Sequence, residues 1–277
     1  MSNWRTRNRP LVILLTLLLL GLMLFPFFVM VSTMLKSSQE IYVVPATWIP
    51  RNLTFANFTR VWIEYHLLLY FRSSLIVALG TMALNILVSV PAAYAVARLR
   101  FLGRKAVMYL LLAIQMFSPV IVVISLFRIF ARAQLIDTYT GLILANTVFT
   151  ISFATWMMTG YFSAIPSEIE EAARIDGCSR VGTLLRVMLP IAAPGLVTVM
   201  IYNFITAWNE FLFALTFINA RAKMPLTLGI YQFVGRWSTQ WELLTTSAFL
   251  ALIPVLVLFY LIEKQLVAGL ASGAVKG

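Results

Sequence analysis

The chain has 277 residues, 61% hydrophobic and 11% charged, with a formal net charge of +11. Soluble domains carry about 25% charged and about 45–50% apolar residues, which argues against a water-soluble globule, a disordered tail or a disulfide scaffold. Cys178 is the only cysteine and His66 the only histidine, so an intrachain disulfide is impossible, and most zinc sites, His-based triads and haem ligation are removed.

Six runs carry no charge: 11–35, 73–97, 106–127, 138–167, 187–209 and 243–262, together 145 residues. A bilayer-spanning helix needs about 20 mostly apolar residues. The first run is longer than the 7–15 residues or so of a signal-peptide core and reads as an uncleaved first span over 11–35, with Pro26 a kink. The other spans are expected over 71–97, 106–130, 139–162, 191–217 and 243–262, leaving a cytoplasmic loop 163–190 and a C-terminal tail 263–277 in one transmembrane domain, 1–277. The fold class is therefore all-α integral membrane.

Orientation follows from the basic residues, which sit in short loops beside the runs. This explains the positive charge better than nucleic acid does, since no basic helix or aromatic-basic motif is present. Arg5, Arg7 and Arg9 precede the first span, and Arg98, Arg100, Arg104 and Lys105 crowd the loop after the second. Short loops and the first helix dominate topology, so both termini are expected in the cytoplasm. The first extracytoplasmic loop, with Pro45, Trp48, Pro50, Asn57 and Phe58, is too short for a domain and reads as a pore cap or a partner contact. Asn52-Leu53-Thr54 and Asn57-Phe58-Thr59 match a glycosylation sequon but carry no weight without a eukaryotic secretory context. His66 reads as an interfacial residue beside a membrane entry.

The loop between the fourth and fifth spans is patterned. Ser167 with Glu170 reads as a capping box, acidic residues fill the first turn where the helix dipole favours them, Gly177 reads as a C′ stop, and Ser179 as the cap of a second helix ending before Pro190. Two short helices at a turn form a ridge. Ala172 and Ala173 allow close approach, and Glu171 supplies a charged contact. Such a ridge suits docking into a partner's groove. The alternative, an amphipathic helix on the lipid surface, calls for a richer basic face and larger apolar anchors.

Here the chain resembles a known family. Glu171-Ala172-Ala173, three residues, Gly177, nine residues, Val187, Met188, Leu189-Pro190 is similar to the EAA loop of ABC importer permeases, with Val187 in place of isoleucine. Ala92-Ala93-Tyr94-Ala95-Val96-Ala97-Arg98-Leu99-Arg100-Phe101, Ala207-Trp208-Asn209-Glu210-Phe211-Leu212 and the tail 266–277 resemble maltose-type carbohydrate importers, in particular the second permease of the pair. The resemblance covers nearly the whole chain. It implies the six-helix type I ABC importer permease fold in a prokaryotic inner membrane. It also implies pairing with a second permease, expected to be a different chain, with two ATPase subunits and with an extracytoplasmic sugar-binding protein. ATP and Mg would sit on the partner ATPase. By that similarity Glu171, Ala172, Ala173, Asp176, Gly177, Leu189 and Pro190 form the coupling site, and the tail, with Gly273, Lys276 and Gly277, reaches toward the ATPase pair.

No P-loop, GxSxG or HExxH occurs, so the chain is not expected to be an enzyme and a pump built on it borrows hydrolysis from another chain. Polar residues inside spans are functional candidates by default. Glu210, beside Asn209 and Trp208, reads as lining the path or the permease interface, or alternatively as a polar contact between helices. Gln115, Asn85 and Asn203 are weaker path candidates, with a structural interhelical hydrogen bond as the other reading. Helix interiors offer almost no basic residues, which favours a neutral sugar such as a maltose- or trehalose-like saccharide over an anionic solute; glycerol phosphate or a polyol is the alternative substrate. A stand-alone secondary transporter would bring inverted repeats or acid pairs; neither is evident.

Overall fold

The computed structural model describes residues 9–274, with side chains described over 11–261. Among the described residues four helices are long and apolar enough to cross a membrane, Leu11–Met34, Leu67–Arg98, Tyr139–Ala164 and Trp241–Leu261. Two bent helix pairs bring the number to six if each pair counts as one span.

Those pairs depart from the straight spans expected over 106–130 and 191–217. The first is Arg104–Met116 followed by Pro119–Arg132, bent by 103°. Its break is legible: Phe117 and Ser118 are extended, because a proline pushes the residue before it out of the helical region. Pro119 then starts the next helix, where its missing N–H costs nothing. The second pair, Arg180–Ile191 and Ala193–Trp208, is bent by 84°, with Pro194 in the first turn of its second helix.

The chain divides into two compact units. The first comprises residues 1–67 and 230–253. It contains α1 (Arg9–Met34), in which Pro26 is internal, α2 (Ser38–Ile41), α3 (Ala56–Thr59), a π turn over Arg60–Glu64 and the start of α13 (Trp241–Ala274). Asn57, 3% exposed, donates through Nδ2 to the carbonyls of Met34 (2.9 Å) and Lys36 (2.8 Å), closing the end of α1. A side chain so placed cannot accept a glycan, which removes that sequon on physical grounds. Several contacts pin the 36–66 segment to 233–242, among them Tyr42 Oη donating to the Thr239 carbonyl (2.6 Å), Ser38 Oγ to Glu242 Oε1 (2.6 Å), and the Tyr65 ring edge-on to Phe233 at 4.9 Å.

The second unit comprises residues 68–229 and 254–277. In chain order it holds α4 (Leu67–Arg98), α5 (Arg104–Met116), α6 (Pro119–Arg132), α7 (Tyr139–Ala164), α8 (Ser167–Ile175), α9 (Arg180–Ile191), α10 (Ala193–Trp208), α11 (Leu212–Phe217) and the first turn of α12 (Leu226–Tyr231). One apolar cluster joins Val90, Tyr94, Met158, Phe162, Leu184, Met188 and Val199, from α4, α7, α9 and α10. A second joins Val77, Val123, Phe130, Leu142, Phe213 and Phe217, from α4, α6, α7 and α11. Asn85 Nδ2 bonds Thr150 Oγ1 at 2.8 Å across α4 and α7, the structural role open to it from sequence. Gly195 of α10 sits against the Tyr161 ring of α7, where a Cβ would meet ring carbons closer than atoms can pack.

Beside the second cluster, loops are laced by polar contacts. Asp137, at φ +57°, accepts from the backbone amides of Ala220 (2.9 Å) and Asn219 (3.1 Å) and pairs with Lys223 (3.2 Å). The Ala220 amide, with Asn219 and Lys223 adding to it, holds the Asp137 carboxyl below its ordinary range against the opposing effect of burial. Arg221 Nε donates to Tyr70 Oη at 2.8 Å, and Ser74 Oγ accepts from the Leu226 amide at 2.7 Å.

Two outcomes follow. Gly195→Ala should lower the thermal midpoint in detergent by an amount equivalent to about 1–3 kcal/mol, the range for overpacking a tight contact; an unchanged midpoint would mean the Tyr161 ring moves freely. Asp137, with its carboxyl lowered in the folded state, stabilises above its unfolded pKa of about 3.9 and loses that effect as pH falls through the lower native value. The parent should therefore lose slightly more stability than Asp137→Asn between pH 5 and about pH 3, a small difference because the pair is part-exposed and screened. Parallel acid profiles would refute the assignment.

Candidate functional site

The ridge between α7 and α10 is built by local rules. α8 ends in a Schellman turn: Cys178 N–H bonds the Ala173 carbonyl at 3.0 Å and Gly177 N–H the Arg174 carbonyl at 3.1 Å, with Gly177 at φ +85°. That is the arrangement in which glycine is favoured at C′. Ser179 Oγ accepts from Gly182 N–H at 3.2 Å and caps α9, as its position predicts.

Two sequence expectations need correction. The capping box is not formed: Pro166 is the N-cap and makes no side-chain cap bond, because Ser167 is already inside α8. Glu170 instead turns inward, its Oε1 accepting from Tyr94 Oη at 2.6 Å and its Oε2 lying 3.4 Å from Arg98 Nε. Nor does the second helix stop before Pro190; it runs to Ile191. A π turn over Leu184–Met188 widens it just ahead of the proline, with Leu189 N–H bonding the Leu184 carbonyl. The proline can then stay in the helix without its ring meeting the carbonyl four residues back.

The ridge has two sides. Glu168, Glu171, Ala172, Arg174 and Asp176 are exposed, and so are the apolar Ile175 (86%), Val181 (66%) and Leu185 (55%). Ala173 is buried, so close approach by a second body falls to Ala172. Leu189 is half-buried and Pro190 exposed. Beneath, Leu184 and Met188 are buried in the cluster formed with the ends of α4 and α7, each worth about 1.5–3 kcal/mol of burial. From the sequence alone Tyr94 has no role and Arg98 only that of a basic residue setting orientation. The signal available was a tyrosine and an arginine one turn apart where an uncharged run ends.

The candidates for a path do not converge. Trp208 is 3% exposed, stacked on Phe204 at 5.6 Å and edge-on to Phe71 at 5.3 Å, which makes it a core residue. Asn203 is fully buried. Asn209 is exposed and bonds the Ile205 carbonyl at 3.0 Å. Gln115 is exposed at the end of α5, just before the break. Glu210 bridges α10 and α11: its Oε1 accepts from Phe213 N–H (2.6 Å) and its Oε2 from Ala214 N–H (3.0 Å), so it caps α11. Thr227 Oγ1 donates to the Glu210 carbonyl at 2.6 Å. Gly273 lies near the end of α13, which extends through most of the expected tail; Lys276 and Gly277 lie outside the described residues. Among the described residues no three His, Cys, Asp or Glu side chains gather as metal ligands would.

Comparisons with known proteins agree with this architecture. The family of binding-protein-dependent transport system inner membrane components matches residues 85–271. The chain is 37% identical to a sulfoquinovosyl glycerol transport system permease of Agrobacterium fabrum, over 98% of this chain and 95% of that one. It is 31% identical to a trehalose/maltose transport system permease of Thermococcus litoralis, over 98% of both. Among solved structures, a chain of a bacterial ABC transporter that imports the acidic polysaccharide alginate superposes with a TM-score of 0.82 at 20% identity, covering 94% of this chain and 97% of that one, which supports the fold. With its broken spans, its capped ridge and these matches, the chain belongs to the binding-protein-dependent inner membrane components, the multi-pass permease subunits of ABC importers.

Proposed function

We propose that this chain forms half of the translocation path of an ATP-driven importer of glycosides or oligosaccharides, and that α8 and α9 are the seat of its ATPase subunit. The observation that carries this reading is the outer side of the ridge. On α8 and α9 the exposed Ala172, Ile175, Val181 and Leu185 stand among the exposed charges Glu168, Glu171, Arg174 and Asp176, a composition that suits a protein groove. A ligand-loaded binding protein on one side and nucleotide on the other would each favour one of two packings of the helices, so the substrate path alternates without covalent chemistry here. ATP and Mg belong to the ATPase partner, and a second permease completes the path.

The substrate class rests on the relatives, whose names span neutral disaccharides and a sulfonated glycoside, and so is set no narrower than a sugar-bearing solute. In this reading the EAA-like segment and its ATPase lie on the cytoplasmic side, as the basic residues flanking the first two spans expect, and the Asp137–Lys223 loops face out. The second-permease position in the pair rests on sequence resemblance.

The test is reconstitution of the full complex. Gly177→Val should insert normally yet lose uptake by about tenfold or more, because a β-branched residue at φ +85° is strained and the turn between α8 and α9 must open. No atom stands within 4 Å of a Cβ at this glycine, so Gly177→Ala should be milder. Wild-type uptake by the valine variant would refute the coupling role. Ile175→Ser should leave the chain's own stability within about 0.5 kcal/mol, as for an exposed site, while the ATPase subunit no longer co-purifies in mild detergent. Retention of the ATPase at parental stoichiometry would sink the docking surface.

A further inference from the structure

The underside of the ridge carries a second, separate device. Arg98 is the last residue of α4, and its side chain is 12% exposed. Its Nη2 donates to the Ile165 carbonyl, the C-cap of α7, and its Nε faces Glu170 Oε2 at 3.4 Å. Tyr94, one turn earlier on α4 and 5% exposed, takes the other Glu170 oxygen. Both oxygens of Glu170 are thus held by α4, and one guanidinium joins the end of α4, the end of α7 and the first turn of α8. The carboxylate is 14% exposed, whereas Glu168 and Glu171 on either side of it face outward.

Successive residues on a helix point about 100° apart, so α8 presents Glu171 and Ala172 to one side and Glu170 and Ala173 to the other. A mostly desolvated guanidinium whose Nη2 engages the Ile165 carbonyl and whose Nε faces the Glu170 carboxylate resists both sliding and rotation more than apolar contact does. Chain connectivity alone would pass motion of the ridge to α7 and α10; the Arg98–Glu170 pair adds α4, which is not adjacent to the ridge in sequence.

We propose that Arg98, with Tyr94 and Glu170, is a positioning group that makes α4 move with the coupling ridge, so that nucleotide binding on the ATPase is felt along α4. This rests on the reading that the ridge seats an ATPase, and the test separates the two.

The experiment uses the whole reconstituted complex in proteoliposomes. A reporter cysteine replaces exposed Arg72, in the first turns of α4 and far from the pair, in a Cys178→Ser background. The readout is the rate of N-ethylmaleimide labelling at position 72 with ATP and vanadate, divided by the rate without nucleotide. In the parent this ratio departs from one. In Arg98→Lys, which keeps the charge and loses the fork, and in Glu170→Gln, which keeps the shape and loses the charge, the departure should shrink by about fivefold, while the ATPase stays bound and still hydrolyses ATP.

Three results would overturn the proposal: a parental response in both variants, a parent whose ratio stays at one, or loss of the ATPase from Glu170→Gln, which would move Glu170 to the docking side. A failure of docking reads differently. An Ala172→Cys cross-linker would then find no ATPase in the parent, whatever the Arg98 variants do.

Discussion

Inside a bilayer an unpaired amide or carbonyl has no water to turn to and costs several kcal/mol. This chain interrupts its spans repeatedly, and a specific side chain meets the stranded backbone groups at several of those interruptions. Asn57 closes the carbonyls at the end of α1. Arg98 closes the end of α7. Glu210 supplies acceptors to the first amides of α11, Asp137 to the amides after it, and Ser74 to the first amide of α12. All five of these polar groups have identifiable backbone work, which is why a polar residue in or beside an apolar run need not touch a substrate. Glu210 illustrates the point: its rarity suggests a path residue, and its geometry makes it a cap.

The ridge answers a different demand. It must present an outward face and be fastened inward. α8 and α9 manage this with few residues because helical periodicity turns adjacent positions about 100° apart, so neighbours in sequence can serve different sides. Leu184 and Met188 bury the inner face, the Gly177 turn sets the angle between the two helices, and the Tyr94–Glu170–Arg98 contacts tie the ridge to a helix outside its own sequence neighbourhood. An outer face rich in Glu171, Ala172 and Ile175 is left free of such duties.

Much of the ridge could be read in advance. The Gly177 stop and the Ser179 cap are local events, decided by backbone conformation within a few residues, and both stand where the spacing placed them. The Ser167–Glu170 box was local in form too, yet a tyrosine and an arginine from a residue run seventy positions earlier compete for the same carboxylate and win. The break at Pro119 was also within reach, since the residue before a proline avoids the helical region; the uninterrupted apolar pattern around it concealed the bend.

Apolar runs of sufficient length, punctuated by basic loops and one strongly patterned polar segment, sufficed for an all-helical integral membrane chain with a two-helix ridge between its fourth and fifth apolar runs, because bilayer thickness and helix rise relate length to span without reference to neighbours. Which polar side chains serve the backbone, which stay exposed and which helix the ridge is bolted to were settled only by three-dimensional packing. Those outcomes depend on pairs such as Arg98 and Ile165, or Asp137 and Ala220, whose separation along the chain leaves no periodic trace.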